Sequence, residues 1–179
     1  MATYKTFETD RLYIRPTSLD DDAFLLELLN SPKWLQYIGD RNVHTVAAAR
    51  KYIQDRILPQ LEKLGFANYT LIKKDDQAKI GSCGLYDREG LDGVDIGFAF
   101  LPQYEKQGYA FEAASCIKQA AFDAFNLSQI SAITTKNNLD SQNLLLKLGL
   151  TYQGLITIPN DTEELMLYRL LFTDSGKTF

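Results

Sequence analysis

The stretch Glu105-Lys106-Gln107-Gly108-Tyr109-Ala110 is the part of this sequence best suited to chemistry. It follows a strand-like run that ends at Leu101-Pro102, and it opens a helix-like run. The first four or so amides of a helix lack partners within it, and the helix dipole adds partial positive charge at the same end. Such an end holds a phosphate without needing a lysine. Gly108 carries no Cβ, so a diphosphate can approach the backbone there. Lys106 and Gln107 can add side-chain donors. The other reading of the same residues is a strand-to-helix turn whose glycine serves geometry alone.

Acids and hydroxyls near this turn are the next candidates. Strand alternation places Asp95, Gly97 and Ala99 on one side and Val94, Ile96, Phe98 and Phe100 on the other. A carboxylate beside two small residues leaves room for a substrate, although Asp95 also suits a solvated position near the Asp92-Gly93 turn. Glu112 falls in the first turn of the helix after Gly108, where a negative charge complements the dipole. Asn138, Asp140 and Ser141 precede a short helical run, and any of them can cap it. His44, the only histidine, stands just before a helix and reads as a surface residue. No cluster has metal-ligand spacing, so no metal is expected. Gly81-Ser82-Cys83-Gly84 is a strand fragment and not a nucleotide fingerprint.

The elements that must position these groups follow from periodicity. Leu12–Pro16 reads as a strand. Ser18 and Asp21 form an S-x-x-D start to a helix through Ala23–Leu29 that ends at Ser31-Pro32. Val46, Ala49, Ile53, Ile57, Leu61 and Leu64 lie on one helical face, with a kink or break expected at Pro59 and a stop at Gly65. Ala67–Lys73, Lys79–Tyr86 and Gly93–Leu101, joined by short polar turns, predict an antiparallel meander. Gly108–Phe125 predicts a helix whose small residues, Ala110, Ala113, Ala120, Ala121 and Ala124, pack closely on a sheet. Gln129–Thr135 follows as a strand parallel to the one before Gly108. Ser141–Leu148 is a short helix. The strands Thr151–Ile158 and Glu164–Phe172 turn at Pro159-Asn160-Asp161. The order β-α-α-β-β-β-α-β-α-β-β predicts a mixed α/β fold with helices on both faces of one sheet.

With 179 residues, the chain fits one domain, expected to span residues 1–172 with a frayed tail at 173–179. The net charge of −4, without a basic block, argues against nucleic acid as a partner. No apolar run is long enough to cross a membrane, and the N-terminus has no apolar leader core. Cys83 and Cys116 lack CxxC spacing, which suits a reducing compartment, so the expected location is cytoplasmic. A homodimer is the default assembly.

Four segments, in order, resemble the GNAT superfamily of N-acetyltransferases, in particular its RimJ/RimL-like branch. They are Glu8-Thr9-Asp10-Arg11-Leu12-Tyr13-Ile14-Arg15-Pro16; Asp95-Ile96-Gly97-Phe98 with Leu101-Pro102; Gln107-Gly108-Tyr109-Ala110 with Glu112-Ala113; and Asn138-Leu139-Asp140-Ser141 with Leu145, Lys147, Leu148, Gly149 and Leu150. The third matches the family's acetyl-CoA motif, [RQ]-x-x-G-x-[GA], except that its first position is Glu105. The resemblance implies a mostly antiparallel central sheet, splayed between its fourth and fifth predicted strands, Gly93–Leu101 and Gln129–Thr135. It implies direct acetyl transfer from acetyl-CoA to a primary amine in a ternary complex, the acceptor being a protein N-terminal α-amine or a small molecule such as an antibiotic. A non-catalytic acetyl-CoA-binding module on the same scaffold is the alternative. The implied cofactor contacts are Phe98, Ala99, Phe100, Lys106, Gln107, Gly108, Tyr109, Ala110, Asn138 and Ser141. Asp95 is the implied general base, and Ser141 the implied proton donor to the leaving sulfur. Trp34 and Tyr37 lie where the family builds its acceptor pocket.

Overall fold

The computed structural model describes residues 3–159 and 161–172. Asn160 of the expected turn and the tail 173–179 lie outside the described residues. Two N-terminal strands, β1 (Phe7–Glu8) and β2 (Leu12–Pro16), lead through a 3-10 turn at Leu19–Asp21 into α1 (Asp22–Leu29). Then come α2 (Pro32–Tyr37), α3 (Val46–Tyr52) and α4 (Leu58–Leu64), the meander β3 (Asn68–Lys73), β4 (Lys79–Asp87) and β5 (Val94–Phe100), and α5 (Tyr109–Asp123). The chain closes with β6 (Gln129–Thr134), α6 (Leu139–Lys147), β7 (Thr151–Ile156) and β8 (Leu165–Leu171).

Two elements go beyond the pattern. β1 pairs through Phe7 and Glu8 alone, too short to show an alternation. α2 starts on Pro32, which stops α1 yet has the fixed φ that suits a first helical position. The expected disturbance at Pro59 is a π-helical turn over Ile53–Ile57, just ahead of the proline. Its cause is visible in the sequence. Ala49, Ile53, Ile57 and Leu61 are all buried at a spacing of four residues, which in a 3.6-residue helix drifts by about 40° per step. A wider turn takes up that drift.

One eight-stranded sheet runs in the order β1-β2-β3-β4-β5-β6-β8-β7. Every neighbouring pair is antiparallel except β5 and β6, which run parallel, as the intervening helix requires. Leu12, Ile14, Leu71, Cys83, Leu85 and Ile96 pack with Ala113, Ala114, Ile117 and Ala121 of α5. A second core joins Leu25, Leu28 and Leu29 of α1 to Ala49, Ile53, Ile57, Leu61 and Leu101. A buried carboxylate ties the first strands together. Asp21, fully buried, accepts from both terminal nitrogens of Arg15 (2.7 and 2.8 Å), from the Ser18 amide (2.9 Å) and from Thr70 (3.0 Å). It also pairs with Lys79 at 2.7 Å. Among the described residues, no helix is long and apolar enough to cross a membrane.

Candidate active site

The parallel pair β5 and β6 positions everything that follows. It shares one bridge, Asp95 with Ser131, although the strands continue to Phe100 and Thr134. Beyond that bridge the sheet opens. Ladder alternation shows which main-chain groups border the opening. The Leu101 amide donates to Ile80 of β4 (3.0 Å), so Ala99, Gly97 and Asp95 also turn their amides and carbonyls towards β4. Phe98 and Phe100 turn theirs towards the gap. Of the three β5 residues expected at the cofactor, Ala99 thus has its main chain committed to the sheet, and Phe98 and Phe100 do not.

At the open end of β5, Pro102–Tyr104 forms a 3-10 turn, and the chain enters α5 through Gly108 at φ +84°. Lys106 is also left-handed, at φ +57°. These two inversions fan the amides outward. Among the described residues, the main-chain amides of Lys106, Gln107, Gly108, Tyr109, Ala110 and Phe111 meet no acceptor; the first bond of the helix is Glu112 N–H to Gly108 O (3.1 Å). Six successive free donors at a helix N-terminus make an anion cradle. Gln107 spends its side-chain amide on Gln103 O (2.8 Å), which removes one donor the sequence had offered.

A clamp from the N-terminal segment holds the cradle from behind. Arg11 donates to Glu112 (2.7 Å) and to Gln107 O (3.0 Å), and its guanidinium lies 4.1 Å from the centre of the Tyr109 ring. Thr9 and the Arg11 amide complete the shell around Glu112 (2.5 and 2.9 Å). Burial lifts the Glu112 carboxyl, but the Thr9 and Arg11 donors outweigh it and bring the group below the usual carboxylate range. Glu112 is therefore a structural anion, ionised and fully engaged.

Across the gap, α6 begins. Asn138 caps it, accepting the Ser141 amide on Oδ1 (3.2 Å). The Ser141 hydroxyl and the Asn138 Nδ2 group have no partner among the described residues. The capping role thus belongs to Asn138, leaving the serine hydroxyl available for chemistry.

Asp95 lies at the closed end of the opening and is 1% exposed. Arg88 grips both its oxygens (3.1 and 3.2 Å). Burial raises the Asp95 carboxyl and the guanidinium opposes that rise, leaving it above its ordinary value. The room expected beside it is filled. Tyr86, its cross-strand neighbour on β4, lays its ring over Gly97, where an added Cβ would come within 3.0 Å of it, and donates to Asn68 Oδ1 (2.6 Å). The small residue accommodates an aromatic ring of the protein itself. Trp34 is half-buried, and its Nε1 is a buried donor without a partner among the described residues.

The sequence profile of the Acetyltransferase (GNAT) domain matches residues 11–151. The chain belongs to the GNAT acetyltransferase family. A relative of this acetyltransferase, the uncharacterized N-acetyltransferase YoaA of Bacillus subtilis, is 27% identical over 86% of each chain. Two solved structures share the fold. The ribosomal-protein-S5-alanine acetyltransferase from Vibrio fischeri superposes with a TM-score of 0.79 at 18% identity, covering 97% of this chain and 99% of its own. FdhC, a nucleotide-linked sugar GNAT, does so with a TM-score of 0.74 at 21% identity, covering 97% and 93%. GNAT folds use acetyl-CoA, and the free amides from Lys106 to Phe111 fit its diphosphate. Arg11 and Arg88 make contacts that the sequence did not disclose; for Arg11 the one signal was its place in the conspicuous Thr9-Asp10-Arg11-Leu12 opening.

Proposed function

We propose that this GNAT acetyltransferase moves the acetyl group of acetyl-CoA to a primary amine by direct attack within a ternary complex, and that its acceptor is a protein N-terminal α-amine. The observation that carries the transfer reading is the run of six unaccepted amides at Lys106–Phe111 placed beside an opened parallel strand pair. The cosubstrate supplies an activated thioester; the protein supplies position and charge. Lys106, Gln107, Gly108, Tyr109 and Ala110 hold the diphosphate through their main chain, and Asn138 holds the pantetheine arm with its free Nδ2. Phe98 and Phe100 aim main-chain donors at the place where negative charge develops on the acyl oxygen. Ser141 gives a proton to the departing sulfur. Asp95, paired with Arg88, is the proposed acceptor of the proton that the ammonium loses.

The α-amine class rests on the RimJ/RimL-like opening at Glu8–Pro16 and on the fold shared with a ribosomal-protein acetyltransferase. We place the enzyme in the cytoplasm, in keeping with two free cysteines, Cys83 buried and Cys116 half-buried. Thiol release from acetyl-CoA, measured over peptides with free N-termini, the same peptides blocked at the N-terminus, and small amines, tests both levels. Turnover confined to free N-terminal peptides is expected. Turnover on small amines alone removes the acceptor assignment, and CoA binding with no turnover on any amine leaves a binding module.

A further inference from the structure

Glu105 occupies the first position of the diphosphate motif, where a negative charge opposes the ligand. The structure shows what answers it. Lys33, from α2, places its Nζ 2.8 Å from Glu105 Oε2 and 3.1 Å from Asp140 Oδ2. Glu105 stands just downstream of β5, and Asp140 lies in the first turn of α6, just downstream of β6. One ammonium therefore touches both lips of the opening between the two strands. Glu105 contributes most to keeping Lys33 protonated, and burial opposes it only in part. Glu105 itself is only 21% exposed, so its charge is poorly screened by water and needs a neighbour. Among the described residues, Lys33 is the one cation paired with it.

We propose that Lys33 is a positioning residue for the cofactor. It neutralises Glu105, holds that carboxylate off the amide cradle, and sets the spacing of the two lips from the α2 side. This rests on the acetyl-CoA reading above. It also makes α2 a link between the cofactor turn and the region of Trp34 and Tyr37.

Calorimetric binding of CoA to the full chain, with melting temperatures as a fold control, separates the possibilities. Lys33→Met is expected to weaken CoA about tenfold and to lower the melting temperature modestly, because Glu105, 21% exposed, loses its partner. Glu105→Gln alone is expected to bind CoA as tightly as the parent or more so. The double variant is expected to return to within about twofold of the parent, because the charge that needed neutralising is gone. The tenfold loss should shrink as salt rises. Unchanged CoA affinity in Lys33→Met overturns the proposal. So does a double variant as weak as Lys33→Met, which would mean that the ammonium acts on the ligand directly. If the parent protein itself does not bind CoA, it is the cofactor reading that fails.

Discussion

Arg11 and Glu112 meet although 101 positions separate them in the chain, and their contact fixes the turn that leads into α5. The same guanidinium that grips the carboxylate holds the Gln107 carbonyl and covers Tyr109, so three consecutive features of the turn hang on one side chain. Glu112→Gln weakens this clamp. The expected cost is about 1–2 kcal/mol of stability, from the loss of charge-assisted bonds, and CoA affinity should drop several-fold. A pH–rate profile that loses its acid limb while CoA affinity stays intact would instead make Glu112 a proton acceptor.

Gly108 tests the cradle itself. At φ +84° an alanine is strained by about 1–2 kcal/mol, and its Cβ would sit 3.2 Å from an Arg11 nitrogen. Gly108→Ala should lower both the melting temperature and CoA affinity. Full CoA affinity in a folded variant would show that the turn does not hold the diphosphate.

Ser141 and Asn138 should separate cleanly. Ser141→Ala removes a hydroxyl with no partner among the described residues, so turnover should fall with no change in melting temperature. Asn138→Ala removes the cap of α6 and should cost about 1 kcal/mol, with weaker CoA binding besides. Equal stability losses in the two variants would return Ser141 to a purely structural role.

Asp95→Asn should reduce turnover most at neutral pH while sparing CoA affinity. It also leaves the Arg88 guanidinium without its carboxylate, so a lower melting temperature is expected. A pH–rate profile of unchanged shape would exclude Asp95 as the proton acceptor.

Acid stability depends on Asp21. Burial lifts its carboxyl, but Arg15, Lys79 and the Ser18 amide together bring it down to about 2 from the ordinary 3.8. A depressed carboxylate stabilises the fold above the unfolded value and loses that contribution as pH falls through the folded one. The window is therefore from about pH 4 down to about 2, and the loss is about 2–3 kcal/mol. Asp21→Asn should be less stable at pH 7 and should show a flatter acid limb in denaturant titrations. An unchanged acid limb would place the acid-labile group elsewhere.

What the sequence made legible was whatever depends on local periodicity. The meander, the small-residue face of α5 and the parallel strand after it all carry their signal within a few neighbours. Free amides at the turn were expected from a glycine that opens a helix after a strand, although such a glycine also serves turn geometry alone. Contacts between distant segments were not readable. Nothing near Lys33 points to Glu105 or Asp140, and the unusual acid at position 105 was the sole hint that a cation must come from elsewhere. Asp95 shows the converse. Small residues on its side of the strand looked like space, but space in a sheet is claimed by the neighbouring strand, and there Tyr86 and Arg88 arrive first.

The solitary bridge between Asp95 and Ser131 has one more implication. Because no ladder needs to be unzipped past it, the seam between the two strands is already unpaired before any visitor enters. Its wall groups are set by folding, so docking loses little to rearrangement. Entry should then be limited by diffusion and charge, not by a slow opening of the sheet.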